Sequence, residues 1–130
     1  MKAYWDSSAL IKALHDQKLR VSLKRGKDGT RPHSLSEIFS TLTKGLNFHY
    51  SPVDAAAMIE SLAGDIDFIE LNADEALAAI NSASAQGVRG ARVHDLMHAT
   101  AAQKYKATVL FTLDQAGFST LKNSVPVQAP

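Results

Sequence analysis

A short apolar run, Ala3-Tyr4-Trp5, ends at Asp6 and is followed directly by a helical pattern that starts at Ser7. A second apolar run, Thr108 to Thr112, follows another helical pattern and ends two residues before Asp114. Short buried strands that alternate with helices predict βα units, in which the strands lie parallel and helices cover both faces of the sheet. We therefore expect a three-layer α/β/α fold with a central, mostly parallel sheet of about five strands.

The rest of the chain continues this alternation of helices and strands. The helices are marked by N-cap residues, by proline in the first turn and by glycine after the last turn. The strands are marked by β-branched or aromatic residues. The expected helices run from Ser7 toward Gly26, from Ser34 onward, from Ser51 to Gly64, from Asn72 to Gly87 and from about Gly90 to Lys106, with further strands at Ile66–Leu71 and Val125–Gln128. The buried stripe of the Ser34 helix is expected to contain Leu35, Ile38, Phe39 and Leu42. Thr30 to His33 is expected to be a brief connection.

Composition narrows the class of protein. The 130 residues are 45% hydrophobic, which suits one compact domain over residues 1–130. No apolar run approaches the roughly 18 residues of a membrane span, and the first ten residues have no apolar signal-peptide core. The absence of cysteine excludes disulfides and thiolate chemistry and fits a cytoplasmic location.

Basic residues are concentrated near the start of the chain, although the net charge is only +1. Six of the 14 lysines and arginines lie between positions 18 and 31. They are Lys18, Arg20, Lys24, Arg25, Lys27 and Arg31. Such a cluster is either a solvated helix face and loop or a phosphate-binding surface, and the sequence favours neither.

Four acids, Asp6, Glu37, Asp95 and Asp114, each have an ordinary structural explanation. Asp6 suits a helix N-cap, Glu37 suits a capping box with Ser34, Asp95 suits the first turn of a helix, and Asp114 suits a turn. All four, however, lie at strand ends or in first turns of helices. In a parallel sheet these positions face the crevice in which ligands bind.

Carboxylates held close together repel one another unless some are protonated or a cation binds between them. Mg²⁺ or Mn²⁺ fits such a set of oxygen ligands, and these ions make a water nucleophilic for in-line attack on a phosphodiester. Ser8 after Asp6, and Thr112 before Asp114, would orient the carboxylates by hydrogen bonding.

The histidine pair in His94-Asp95-Leu96-Met97-His98 supports a different hypothesis, a zinc metallopeptidase-like site. Two histidines at i and i+4 on one helix face can bind zinc, with an adjacent glutamate as general base. Here the shorter Asp95 would have to be the base, and Asp114 is the only later carboxylate that could be a third ligand. The sequence therefore meets the requirements of this site poorly.

Three ordered blocks of the sequence resemble the PIN-domain ribonucleases, especially the VapC-like toxins of bacterial toxin–antitoxin pairs. The blocks are YWDSSALIKAL, PHSLSEIFSTLTKG and GVRGARVHDLMHATAAQKYKATVLFTLDQAGF. The resemblance implies Mg²⁺- or Mn²⁺-dependent cleavage of RNA that leaves 5′-phosphate and 3′-hydroxyl ends, a homodimer and a cognate antitoxin. It also implies that Asp6, Asp95 and Asp114 are the primary metal ligands, and that Glu37 completes the acidic pocket or holds a second ion.

Two further points remain open at the level of sequence. Arg89 and Arg92 precede the Asp95 helix and are either substrate contacts or surface arginines, with Arg92 paired to Asp95. Asp114 is followed by Gln115-Ala116-Gly117-Phe118 without a further acid, which departs from the family pattern. A PIN-like fold that only binds partners is an alternative, although the four acids together favour catalysis.

Overall fold

The computed structural model describes residues 2–122 and 125–130, without the side chains of Lys24 and Arg25. In this part of the chain the strands are β1 (Ala3–Trp5), β2 (Gly29–Thr30), β3 (Asp67–Phe68), β4 (Val109–Phe111) and β5 (Val127–Gln128). The helices are α1 (Ser7–Leu14), α2 (Gln17–Arg25), α3 (His33–Thr43), α4 (Pro52–Ala63), α5 (Ala73–Asn81) and α6 (Val93–Lys104). Short 3₁₀ turns cover Ser84–Gln86, Gly90–Arg92 and Gln115–Phe118.

The five strands form one sheet in the order β3-β2-β1-β4-β5, and each neighbouring pair is parallel. The chain adds strands on one side of β1 first and then on the other, so the strand order reverses at β1. Tyr4 lies opposite Leu110 in the pairing of β1 with β4. In a sheet of this kind the crevice beyond the carboxyl ends of β1 and β4 is the expected ligand site.

Side chains alternate across the two central strands and build a core on each face of the sheet. Tyr4 and Leu110 pack with α5 and α6 on one face. Trp5 and Val109 pack with α1 to α4 on the other. This period-two alternation with helices on both faces confirms the expected three-layer α/β/α fold. None of the helices in the described ranges is long and apolar enough to cross a membrane.

The first expected helix is two helices. Asp16 interrupts it in an extended conformation, with φ −133° and ψ 107°. Its carboxylate accepts hydrogen bonds from the backbone N–H groups of Lys18 and Leu19, which caps α2. The prediction of one helix toward Gly26 was wrong because an aspartate that can cap a new helix competes locally with continuation of the old one.

The sequence also misplaced strand β2 and part of α3. Gly29 belongs to a strand rather than to a break, and a Cβ there would lie 2.5 Å from Ile69 Cδ1, so a larger residue would require this side chain to shift. The helix α3 begins at His33 instead of Ser34. Phe39 is 38% exposed, whereas Ser34 is fully buried, so the predicted stripe was partly wrong.

Other boundaries differ because the chain turns earlier than expected. The strand expected at 66–71 pairs only at Asp67–Phe68, on the edge of the sheet. The helix that begins after Asn72 ends at Asn81, and Gly87, with φ +67°, ends the 3₁₀ turn that follows. The helical starts predicted at Ser51 and Asn72 are confirmed by their side-chain caps.

Candidate active site

Asp6 follows β1 and is held at the bottom of the crevice. Its side chain is almost buried, and its Oδ1 accepts hydrogen bonds from Ser8 Oγ at 2.7 Å and from the Ala9 backbone N–H at 2.9 Å. The expected N-cap of α1 is therefore present. The other carboxylate oxygen, Oδ2, accepts no hydrogen bond from the residues that the structure describes, which leaves it available to a ligand.

The loop after β4 brings Asp114 to the same end of the sheet. The Asp114 backbone N–H donates to the buried Thr112 Oγ1 at 3.0 Å, and Ser8 Oγ accepts from the Leu113 backbone N–H at 3.0 Å. Ser8 thus joins the ends of β1 and β4. Asp114 Oδ1 accepts from the Gly117 N–H at 3.2 Å, which caps the 3₁₀ turn that follows.

Asp95 lies in the first turn of α6 and faces these two acids. Burial raises the pKa of Asp95, and the negative charges of Asp114 and Asp6 raise it further, while interactions with Arg92 and His98 lower it by less. Arg92 Nη1 lies 3.6 Å from Asp95 Oδ2 and 3.9 Å from Asp114 Oδ2. The structure therefore brings Asp6, Asp95 and Asp114 into one acidic pocket, here called the aspartate pocket.

The aspartate pocket has the chemistry for a small cation. All three side chains offer carboxylate oxygens, the ligands that Mg²⁺ and Mn²⁺ prefer. Gly117 keeps the space between them open, because a Cβ there would lie 2.6 Å from Asp95 Oδ2 and 3.0 Å from Asp114 Oδ2. Arg92 already places one positive charge between two of the carboxylates. The donor chemistry of the three carboxylates therefore suits a divalent ion.

Glu37, the fourth predicted acid, has different neighbours. Its Oε1 accepts a hydrogen bond from His98 Nε2 at 3.0 Å. Burial raises the pKa of Glu37, but the hydrogen bond from His98 and the electrostatic interactions with His98, His33 and His94 outweigh it, so the pKa lies below its usual value. Histidines therefore dominate the surroundings of Glu37, whereas the pKa of Asp95 responds also to Asp6 and Asp114.

The predicted capping box of Ser34 and Glu37 was wrong. Ser34 lies inside α3, and its Oγ hydrogen bonds with Thr30 Oγ1 at 2.7 Å instead of with a backbone N–H of the helix. Glu37 is then free to bond across to α6. Ser34 and Glu37, which the sequence predicted to cap the helix together, instead bond to Thr30 and His98 from other elements.

The two histidines of α6 do not form a zinc-binding face. His98 is buried, with Nδ1 at 2.7 Å from Tyr4 Oη and Nε2 bonded to Glu37, so both ring nitrogens are already engaged. His94 is exposed and stacks on His33, with ring centroids 5.5 Å apart and an angle of 17° between the planes. The geometry does not support the zinc-peptidase arrangement, in which His94 and His98 would bind one ion.

Comparison with known proteins shows the family to which the chain belongs. A family model described as the PIN domain matches residues 3–123, a span that contains all four acids. The chain belongs to the PIN-domain family. A search of the curated proteins found no match to the chain.

Solved VapBC and VapC structures share the fold of this PIN domain. A chain of VapBC2 from Rickettsia felis, solved bound to a DNA fragment from its promoter, matches with a TM-score of 0.70 and 15% identity, over 99% of this chain and 98% of that one. VapBC-1 from nontypeable Haemophilus influenzae matches with a TM-score of 0.68 and 20% identity, over 99% of this chain and 98% of that one. VapC20 from Mycobacterium tuberculosis is a Sarcin-Ricin loop cleaving toxin. It matches with a TM-score of 0.68 and 19% identity, over 92% of this chain and 95% of that one. At these identities the likeness is one of fold.

Two residues of this PIN domain were missed as site candidates by the sequence analysis. His33 lies one turn before Glu37 on α3, and Tyr4 supports His98 from β1. The i, i+4 spacing of His33 and Glu37 was a signal for the first of these. Tyr4 carried no signal, because an aromatic residue in a buried strand is ordinarily part of the core.

The arginines and the basic segment of this PIN domain have mixed environments. Arg92 pairs with Asp95, as one of the two interpretations expected, whereas Arg89 is exposed and makes no ion pair within the described residues. In the basic segment, Arg20 pairs with Asp65 at 2.9 Å, and Arg31 lines a cleft with His33. The side chains of Lys24 and Arg25 lie outside the described residues.

Proposed function

We propose that this PIN domain is an Mg²⁺- or Mn²⁺-dependent endoribonuclease that hydrolyses RNA phosphodiester bonds, and that it is the toxin of a toxin–antitoxin pair. The observation that carries the proposal is the aspartate pocket, where burial and the charges of Asp114 and Asp6 raise the pKa of Asp95. A carboxylate whose charge is this unfavourable gains from a bound cation.

Each residue of the site has a role in the proposal. Asp6, Asp95 and Asp114 bind the ion directly or through water, and Ser8 holds Asp6 with one carboxylate oxygen turned toward the ligand. Thr112 fixes the backbone of Asp114. A divalent ion bound there supplies a more acidic water and offsets the charge of the phosphodiester.

The remaining residues act on the substrate or at the edge of the pocket. Arg92 is partly exposed beside the acids, so its guanidinium is positioned to contact an incoming phosphate once an ion has taken its place. Arg89 is the second proposed phosphate contact. Glu37, whose pKa is lowered by its contact with His98, completes the acidic pocket or holds a second ion.

The partners follow from the same proposal. The fold is that of proteins solved as VapBC complexes, so we propose an antitoxin protein as the cognate partner. We also propose a homodimer as the active form, as the resemblance to VapC-like toxins implies. VapC20 is a Sarcin-Ricin loop cleaving toxin, and structured RNA is therefore the first substrate to test. We propose a cytoplasmic location, where such RNA is available to the protein.

The decisive experiment incubates end-labelled RNA with the protein in Mg²⁺, in Mn²⁺ and in EDTA. We expect cleavage in either ion, with 5′-phosphate and 3′-hydroxyl ends, and none in EDTA. Asp95→Asn should lower the rate by more than the roughly 10- to 100-fold cost of losing a group that only supports a metal ligand.

The matched control is Asp74→Asn, which removes an exposed acid from the first turn of another helix. This variant should cleave like the parent chain. Cleavage that persists in EDTA or in Asp95→Asn would contradict the metal mechanism. RNA binding without cleavage in either ion would instead favour a module that only binds.

A further inference from the structure

Three side chains of α3 and α6 converge beside the aspartate pocket. His33 and Glu37 lie one turn apart on α3, and His94 lies opposite them in the first turn of α6. One potential ligand atom from each of the three lies within 4.8 Å of the other two. We call this set the histidine–glutamate cluster.

Glu37 is fixed within the histidine–glutamate cluster by a chain of buried hydrogen bonds. Burial raises the pKa of Tyr4 far above its usual value, so its hydroxyl keeps its proton and donates to His98 Nδ1 at 2.7 Å. His98 Nε2 then carries the ring proton and donates to Glu37 Oε1, since the other tautomer would turn a nitrogen lone pair toward a carboxylate. One oxygen of Glu37 is therefore held and the other remains for a ligand.

The two histidines of the cluster are free to adjust. His33 and His94 are both exposed, and their rings lie nearly parallel. In the described residues neither ring makes a side-chain hydrogen bond, in contrast to His98. An exposed imidazole can rotate to point a nitrogen lone pair at an ion with little loss of packing.

We propose that His33, Glu37 and His94 form a binding site for a transition-metal ion of the Zn²⁺ type, distinct from the aspartate pocket. Two imidazole nitrogens and one carboxylate oxygen are a donor set that suits Zn²⁺ and similar ions, whereas Mg²⁺ prefers oxygen ligands alone. Three protein ligands leave a fourth position for water or another small molecule. The chain thus has two neighbouring sites that select different ions by donor type.

The positive charge of Arg31 opposes a metal site and supports a competing interpretation, a phosphate-binding site. Arg31 lines the same cleft as His33 and His94, and its guanidinium disfavours a cation nearby. Arg31 and two protonated histidines would bind a phosphate instead. The ionised Glu37 within the cluster favours the metal, because a carboxylate repels phosphate and completes the ligand set for a cation.

The test uses Co²⁺ as a spectroscopic probe and Zn²⁺ in calorimetry, on full-length protein carrying no polyhistidine tag. We expect the wild type to bind one Co²⁺ per chain with visible absorption from nitrogen and oxygen ligands. His33→Ala and His94→Ala should each weaken Co²⁺ and Zn²⁺ binding at least tenfold. His49→Ala removes an exposed histidine outside the cluster and should change neither.

Asp114→Asn separates this site from the aspartate pocket, because it should weaken Mn²⁺ binding and leave Co²⁺ binding at the cluster intact. These readouts measure binding, so they hold whether or not the protein cleaves RNA. Co²⁺ binding that is absent from the wild type, or unchanged in both histidine variants, would overturn the proposal. Binding of inorganic phosphate that is lost in His33→Ala, without Co²⁺ binding, would assign the cleft to an anion instead.

Discussion

At the scale of single residues, like charges are what give the site its chemistry. Asp6 and Asp114 would be ordinary helix and turn caps in most proteins, and both indeed make cap hydrogen bonds here. The second function that we propose for them, ion binding, depends on Asp95, whose pKa responds to the charges of both. A cap uses one carboxylate oxygen, so capping and ion binding are compatible in the same side chain.

The first prediction concerns the titration of Asp95. Burial is the largest cause of its raised pKa and the charge of Asp114 the next, so Asp114→Asn should lower the pKa of Asp95 partway toward the usual value. Carboxyl ¹³C NMR over the acid range measures this shift. Asp74→Asn, which removes a distant acid, should leave the Asp95 titration unchanged. An unchanged titration in Asp114→Asn would show that the two carboxylates do not interact.

The second prediction concerns Arg92, whose guanidinium competes with a cation for Asp95 and Asp114. Arg92→Gln should raise the pKa of Asp95 and tighten Mn²⁺ binding, by no more than about fivefold because exposed ion pairs contribute about 0.2–1 kcal/mol. Calorimetry with Mn²⁺ measures the change. The control is Arg89→Gln, which removes an arginine that has no ion pair in the described residues and should leave Mn²⁺ binding unchanged. Weaker Mn²⁺ binding in Arg92→Gln would contradict the prediction.

At the scale of elements, parallel strands and helix starts deliver the acids to one place. The carboxyl ends of β1 and β4 are adjacent because these strands pair, and the first turn of α6 is brought over them by packing against the sheet. The local caps at Ser51 and Asn72 were predictable from sequence, since a cap depends on residues three or four positions away. The S-x-x-E pattern at Ser34 failed because Thr30, from β2, bonds its hydroxyl.

The third prediction concerns the 3₁₀ turn after β4. Gly117→Ala would place a methyl group 2.5 Å from Arg92 Nη1 and 2.6 Å from Asp95 Oδ2, so the turn or the acids must move. We expect weaker Mn²⁺ binding, measured by electron paramagnetic resonance of free Mn²⁺, with the fold retained. Gly64→Ala is the matched control, because the nearest atom to a Cβ there is 3.5 Å away. Equal Mn²⁺ affinity in both variants would mean that the space beside Gly117 is not used.

At the scale of the whole molecule, the aspartate pocket costs stability when it holds no ion. The folded pKa of Asp95 lies above its unfolded value, so the folded state holds this proton more tightly and loses stability as pH rises through that interval. A cation that binds only the folded protein offsets this loss by mass action. Stability and the proposed activity are therefore opposed at this residue.

The fourth prediction follows from this loss of folding stability with rising pH. Asp95→Asn should raise the free energy of unfolding at pH 7 in EDTA. The gain should shrink as pH falls toward the unfolded pKa of about 4 and disappear below about pH 3, where the parent carboxyl is protonated in both states. Urea unfolding at several pH values tests it. Mn²⁺ should raise the melting temperature of the parent protein and of Asp74→Asn but have little effect on Asp95→Asn. A variant less stable than its parent at pH 7 would contradict the prediction.

The sequence by itself determined the layered fold and predicted that Asp6 and Asp114 meet at one edge of the sheet. Short apolar runs that alternate with helices allow few arrangements other than a covered parallel sheet, and residues that follow parallel strands must meet at one edge of it. These inferences need only local patterns and a general rule of topology. They are insensitive to errors of a few residues in element boundaries, such as the break at Asp16.

Only the tertiary structure decided which side chains surround Glu37. The spacing of His33 with Glu37, and of His94 with His98, places each pair on one helix face, but it does not state how α3 and α6 are turned toward each other. Packing on the sheet sets that rotation, so that His98 points inward to Tyr4 and Glu37 while His94 meets His33. A rotation of a packed helix depends on the whole core, and no short stretch of the sequence encodes it.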